Sequence, residues 1–112
     1  MIQIYTTPSC ASCRKAKKWF DQYKIPYSEK NIFSIKLSKE DIFRMLANSE
    51  NGFDDIISTR SKVFKEKKLD PDNMSVQELI EFIIDYPSVL KRPIIINENE
   101  LQVGYNNEDI TI

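Results

Sequence analysis

The chain contains no histidine. This removes the commonest metal ligand, and with it nucleophilic catalysis built on Cys-His or Ser-His-Asp. Glycine is nearly absent too. Gly52 and Gly104 are the only two, so no glycine-rich phosphate loop can form. No window approaches the roughly 20 apolar residues of a membrane span, and no basic segment followed by an apolar run opens the chain. The expectation is a cytoplasmic protein without a membrane partner. Basic excess is also missing: 16 Lys and Arg against 17 Asp and Glu leave a net charge of −1, unlike a dedicated nucleic-acid binder. DNA contact must therefore be local or shared with a partner, and binding by this chain alone should be weak and salt-sensitive.

What is present suits one globule. In 112 residues, 41% are hydrophobic and 11% aromatic, enough for one core. No repeat, low-complexity tract or linker interrupts it.

Cysteine is used twice, at Cys10 and Cys13. Residues 1–5 alternate apolar and polar as a strand does, and from Ala11 the spacing turns helical, with Ala16, Trp19, Phe20 and Tyr23 on one stripe read as core. Cys-x-x-Cys at a strand-to-helix turn is the thiol–disulfide arrangement of a thioredoxin-like fold. A cysteine at a helix start meets unpaired N–H groups and the positive end of the helix dipole. Arg14, Lys15, Lys17 and Lys18 follow. Thiols so placed have pKa values of roughly 3.5–7.5 against about 8.5 unperturbed. Cys10 is expected to be the exposed nucleophile and Cys13 the resolving thiol, at a spacing that permits a local disulfide. Two readings compete with a redox pair. One is a pair of buried structural thiols. The other is zinc, which needs four ligands where this chain offers two sulfurs and no second pair. No metal or cofactor is expected.

Residues 27–32 read as a second strand. Ser38 caps a helix with Asp41 near the capping-box position; it carries Ile42, Phe43, Met45 and Leu46 and ends near Ser49. A turn follows at 50–54, then a short helix from Ser58 to about Lys67. Ser75 caps another helix, with Glu78 in the box position, and Pro87 closes it. Residues 93–96 read as a buried strand, 97–100 as a tight turn and 101–103 as its partner. The order is βαβ, a helical stretch, then a hairpin: one α/β domain whose first two strands are parallel.

Five stretches, in order, carry a resemblance. They are Tyr-Thr-Thr-Pro-Ser-Cys-Ala-Ser-Cys-Arg-Lys-Ala (5–16), Asn-Ile-Phe-Ser (31–34), Ile-Ile-Ser-Thr-Arg-Ser-Lys-Val-Phe (56–64), Arg-Pro-Ile-Ile-Ile (92–96) and Leu-Gln-Val-Gly-Tyr-Asn (101–106). The chain resembles the Spx family of redox-responsive transcriptional regulators, within the wider arsenate reductase superfamily. The resemblance implies a thioredoxin-like, arsenate reductase-like α/β fold. Its mixed four-stranded sheet carries a helical insertion at about 38–86 in a single domain, 1–112. It implies a monomer that binds the C-terminal domain of the RNA polymerase α subunit and changes promoter use under thiol stress. Promoter DNA would be met only jointly with polymerase.

In such proteins oxidation of the Cys-x-x-Cys pair is the switch, which maps here to Cys10 and Cys13. Gly52 falls where the family keeps a glycine at the α-subunit interface. Arg92 matches an arginine that responds to redox state, and Arg60 with Lys62 matches a basic helix start. Ala47 departs from the pattern: the family has a basic residue there, near the polymerase contact. Clp-type protease machinery is implied as a further partner, through a basic tail that family members carry beyond the position of Ile112.

The residues also bear plain readings. Arg60 and Lys62, at a helix start, suit an anion, a DNA phosphate or a partner carboxylate, or form a solvated face. Arg92 precedes Pro93, which opens the strand at 94–96 where its missing N–H is tolerated. In thioredoxin-like folds a proline here is commonly cis and faces the dithiol, which would hold Arg92 near the active turn. Gly52 either serves a turn needing positive φ or leaves room for a partner. The alternative function is enzymatic: a glutaredoxin-like thiol oxidoreductase, or an arsenate reductase using Cys10, Arg60 and Arg92. The second cysteine and the missing His-x-x-x-Cys loop argue against the latter.

Overall fold

The computed structural model describes residues 2–58, 61–105 and 110. Two compact units emerge, one formed by the chain up to Ile35 and from Arg92 onward, the other by Lys36–Lys91. In the first, β1 (Ile2–Thr6) leads to α1 (Ala11–Gln22) and β2 (Tyr27–Asn31), and β3 (Ile94–Asn97) and β4 (Glu100–Val103) form the closing hairpin. The sheet order is β2-β1-β3-β4, with β1 parallel to β2 and the other pairs antiparallel. The four-stranded mixed sheet is as expected. The polar strand β2, with Glu29 and Lys30, occupies an edge, where charge discourages pairing with another chain.

Alternation along β1 puts Ile2, Ile4 and Thr6 on one face. Ile4 and Ile95 pack there against Ala16 and Phe20 of α1. Cys13, Ala16 and Phe20 lie three and four residues apart, so one helical stripe meets the sheet. Tyr5, Ile94 and Ile96 point to the opposite face and are buried as well. The aromatic stripe departs from expectation in one residue. Phe20 is buried and Trp19 packs against the cluster, but Tyr23 is 58% exposed. The reason is that α1 ends at Gln22. Tyr23 is its C-cap and stacks on the outer side of Trp19, ring centroids 4.7 Å apart.

In the second unit, α2 (Lys39–Ala47) and α5 (Val76–Asp85) both begin with complete capping boxes, Ser38 with Asp41 and Ser75 with Glu78. Their apolar stripes bury Ile42, Met45, Leu79, Ile80, Phe82 and Ile83, while Phe43 of α2 faces solvent. Two features differ from the sequence reading. A one-turn helix, α3 (Phe53–Ile56), occupies part of the expected turn. The helix expected from Ser58 begins only at Lys62, as α4 (Lys62–Lys67). Ile57 is held extended by a bridge to Leu90, and Ser58 N–H donates to the Val89 carbonyl at 2.8 Å. That pairing holds Ile57 and Ser58 out of helix.

A candidate dithiol site at the start of α1

Cys10 is the N-cap of α1, with extended backbone. Its Sγ accepts the Cys13 N–H at 3.1 Å, so a donor left over at the helix start points at this sulfur. The Cys13 sulfur lies within bonding distance of it, with the two Cα atoms 5.2 Å apart. The two cysteines differ in access. Cys10 is half-buried, whereas Cys13, on the stripe that faces the sheet, is 1% exposed.

A polar chain links β1, β2 and α1. Thr6, 1% exposed, donates its hydroxyl to Glu29 Oε2 at 2.7 Å, and Lys17 Nζ meets the same oxygen at 3.0 Å. Burial alone would raise the Glu29 carboxyl. The Thr6 hydroxyl and the Lys17 ammonium outweigh it, so the group titrates below the usual carboxylate range. Sequence reasoning missed Thr6 and Glu29 as a pair. They meet because Glu29 stands beside Ile4 in the parallel register, on the same face as Thr6. A partial signal was present in Lys17, one helical turn after Cys13.

Arg92 joins this end of the sheet. The β1–β3 register pairs Tyr5 with Ile94; continued outward, it sets Pro93 and Arg92 opposite Thr6 and Thr7. The Arg92–Pro93 peptide is cis, as expected. Pro93 donates nothing to the ladder, but its carbonyl accepts Gly104 N–H at 2.8 Å.

The other sequence-derived residues belong to the second unit. Gly52 precedes α3 with φ +65° and ψ −132°, and a Cβ built there would meet nothing within 4 Å. The loop before it is tied to Asp55. Its Oδ2 accepts the N–H groups of Glu50 and Asn51, each at 2.9 Å, and these bonds hold the carboxyl below its ordinary range. Lys62 opens the six-residue α4 and pairs with Glu66 at 3.6 Å in full solvent, a contact of small energetic weight. Arg60 lies outside the described residues. Among the described residues no group of three or more potential ligands is placed to hold a metal ion, and no helix is long and apolar enough to cross a membrane.

A family model described as the ArsC family matches residues 5–112. The global transcriptional regulator Spx 1 of Bacillus cereus is 51% identical over 110 residues, 98% of this chain and 84% of that protein. The global transcriptional regulator Spx of Bacillus subtilis is 49% identical over the same shares. Among solved structures, an ArsC family related protein from Bacteroides fragilis is similar with a TM-score of 0.80 at 27% identity, covering 96% of this chain and 92% of that one. An arsenate reductase from Vibrio cholerae is similar with a TM-score of 0.82, covering 94% and 90%. At 18% identity that second likeness speaks for the fold alone.

Proposed function

The chain belongs to the ArsC family and, within it, to the Spx regulators, and from that premise we propose that it is a thiol-oxidation switch acting on transcription through the α subunit of RNA polymerase. The observation that carries the reading is the unequal pair at the head of α1: Cys10 half-buried, Cys13 fully buried, their sulfurs within bonding distance. A peroxide oxidises the Cys10 thiolate to a sulfenic acid and leaves as water. The Cys13 sulfur attacks it, a second water departs, and the disulfide closes. The head of α1 thereby loses a negative charge and gains a cross-link. Arg92, at the same end of the sheet, responds to that lost charge. Gly52 and Lys62 belong to the surface that meets the polymerase or the promoter beside it, and Arg60 to the same basic segment. The protein is read as a cytoplasmic monomer without metal or cofactor.

The test is binding of the isolated α C-terminal domain to the oxidised and the reduced chain. A switch of this kind moves an equilibrium by about 1–3 kcal/mol, or five- to 150-fold. Equal affinity in both states, or a difference that survives in Cys10→Ala, would overturn the reading. The enzymatic alternative would use the same cysteine at the head of α1. Turnover of arsenate or a mixed disulfide with glutathione, at rates that Cys10→Ala abolishes, would decide for it.

A further inference from the structure

Cys13 is buried on the sheet-facing stripe of α1, and Lys17 stands one turn further along the same helix. Because α1 runs back along β1, its head lies over the Thr6 end of that strand, just as Ala16 and Phe20 pack with Ile4. The Thr6–Glu29–Lys17 chain lies on the sheet face that α1 covers, at the Thr6 end of β1, and Lys17 is one helical turn from the buried Cys13. It brings one anion and one cation to the end of α1 that carries the buried Cys13. We propose that Lys17 and Glu29 are a positioning pair for the dithiol, whose opposing charges beside Cys13 govern how readily the Cys10–Cys13 bond opens. The proposal rests on the redox reading of that pair.

Opening begins when a thiolate of an added dithiol attacks Cys10 Sγ, the accessible sulfur. A bond forms to Cys10, the Cys10–Cys13 bond breaks, and the electron pair departs on Cys13 Sγ. The reagent's second thiolate then displaces Cys10 and closes the reagent's own disulfide. The reagent is oxidised, and both cysteines are reduced and take up protons according to their pKa values. The step that feels the pair is departure of a thiolate in a site closed to solvent, and a thiol of lower pKa leaves faster. Lys17 stabilises that charge and Glu29 opposes it, while Thr6 holds Glu29 in place. Other charged groups nearby are Arg14, Lys15 and Lys18, exposed on α1, and Arg92 at the head of β3. Lys30 of β2 faces away, its Nζ lying over the Tyr5 ring on the opposite face.

The experiment measures the rate at which dithiothreitol opens the disulfide in the full chain, in wild type, Lys17→Met, Lys17→Arg and Glu29→Gln. Lys17→Met should slow opening by about threefold or more and Glu29→Gln should speed it by a similar factor. Lys17→Arg should keep the wild-type rate. A merely structural pair would move both neutralising variants in the same direction. In a Cys10→Ser background, the pH midpoint of Cys13 thiolate formation, followed by ultraviolet absorbance, should rise with Lys17→Met and fall with Glu29→Gln. Shifts of one sign, or no shift, with a normally reducible wild-type disulfide overturn the proposal and leave the redox reading standing. A wild-type chain that forms no reducible Cys10–Cys13 bond overturns both.

Discussion

At the scale of single residues, the two cysteines were legible because their chemistry is local. Spacing and the change from strand to helix both lie within fifteen residues. Glu29 was not legible: its partners come from β1 and α1, and only the parallel register brings them together. A stability prediction follows from its depressed titration. A carboxyl lowered in the folded state adds stability above its unfolded pKa, and that contribution is lost as pH falls through the folded value. Thr6→Val removes the hydroxyl that donates at 2.7 Å. It should cost about 1 kcal/mol at pH 7, below the roughly 1.5–3 kcal/mol of a buried bond to a charged group, since the Glu29 side chain is 36% exposed. Urea unfolding at pH 7 and again below the carboxylate range checks this: the gap between variant and wild type should narrow on acidification. Tyr23 teaches a related lesson. Helical spacing assigned it to the core, and the end of α1 at Gln22 placed it outside.

At the scale of elements, capping chemistry was readable in advance. Ser38 and Ser75 each lie three residues before a carboxylate, and both boxes form as reciprocal bonds. The short helices were harder to read. The onset of α4 is set by the pairing of Ile57 with Leu90, thirty-odd residues away, and no local signal encodes it. Gly52 shows how backbone and surface readings separate. At φ +65° and ψ −132° it occupies a region natural to glycine alone, while the space a Cβ would fill is open. Gly52→Ala should therefore destabilise the chain through strain, by about 1–3 kcal/mol, with no collision to relieve. Denaturant midpoints measure that loss. Weakening of α-subunit binding at temperatures where the variant remains folded would report the partner surface separately. Unchanged stability would refute the strain.

At the scale of the whole molecule, the disulfide is a weak staple, as the proposed switch requires. It closes a loop of four residues, for which chain entropy predicts only about 2 kcal/mol of stabilisation. Reduced and oxidised chains should both fold, their urea midpoints differing by no more than that amount corresponds to. Unfolding on addition of reductant would instead make the bond structural. The near-zero net charge belongs to this scale as well: DNA binding by this chain alone should be weak and fall further as salt rises, which a salt titration measures.

The amino-acid order alone settled the α/β alternation, the helix caps, the dithiol at a strand-to-helix turn and the kinship those residues carry. Each is written in neighbours a few positions apart, where steric preference and hydrogen-bonding reach decide. Tertiary structure decided how deeply Cys13 is buried, which partners Glu29 meets, where α4 begins and which aromatic ring is left in water. Those depend on strand register and on burial between segments twenty or more residues apart, and packing sets both.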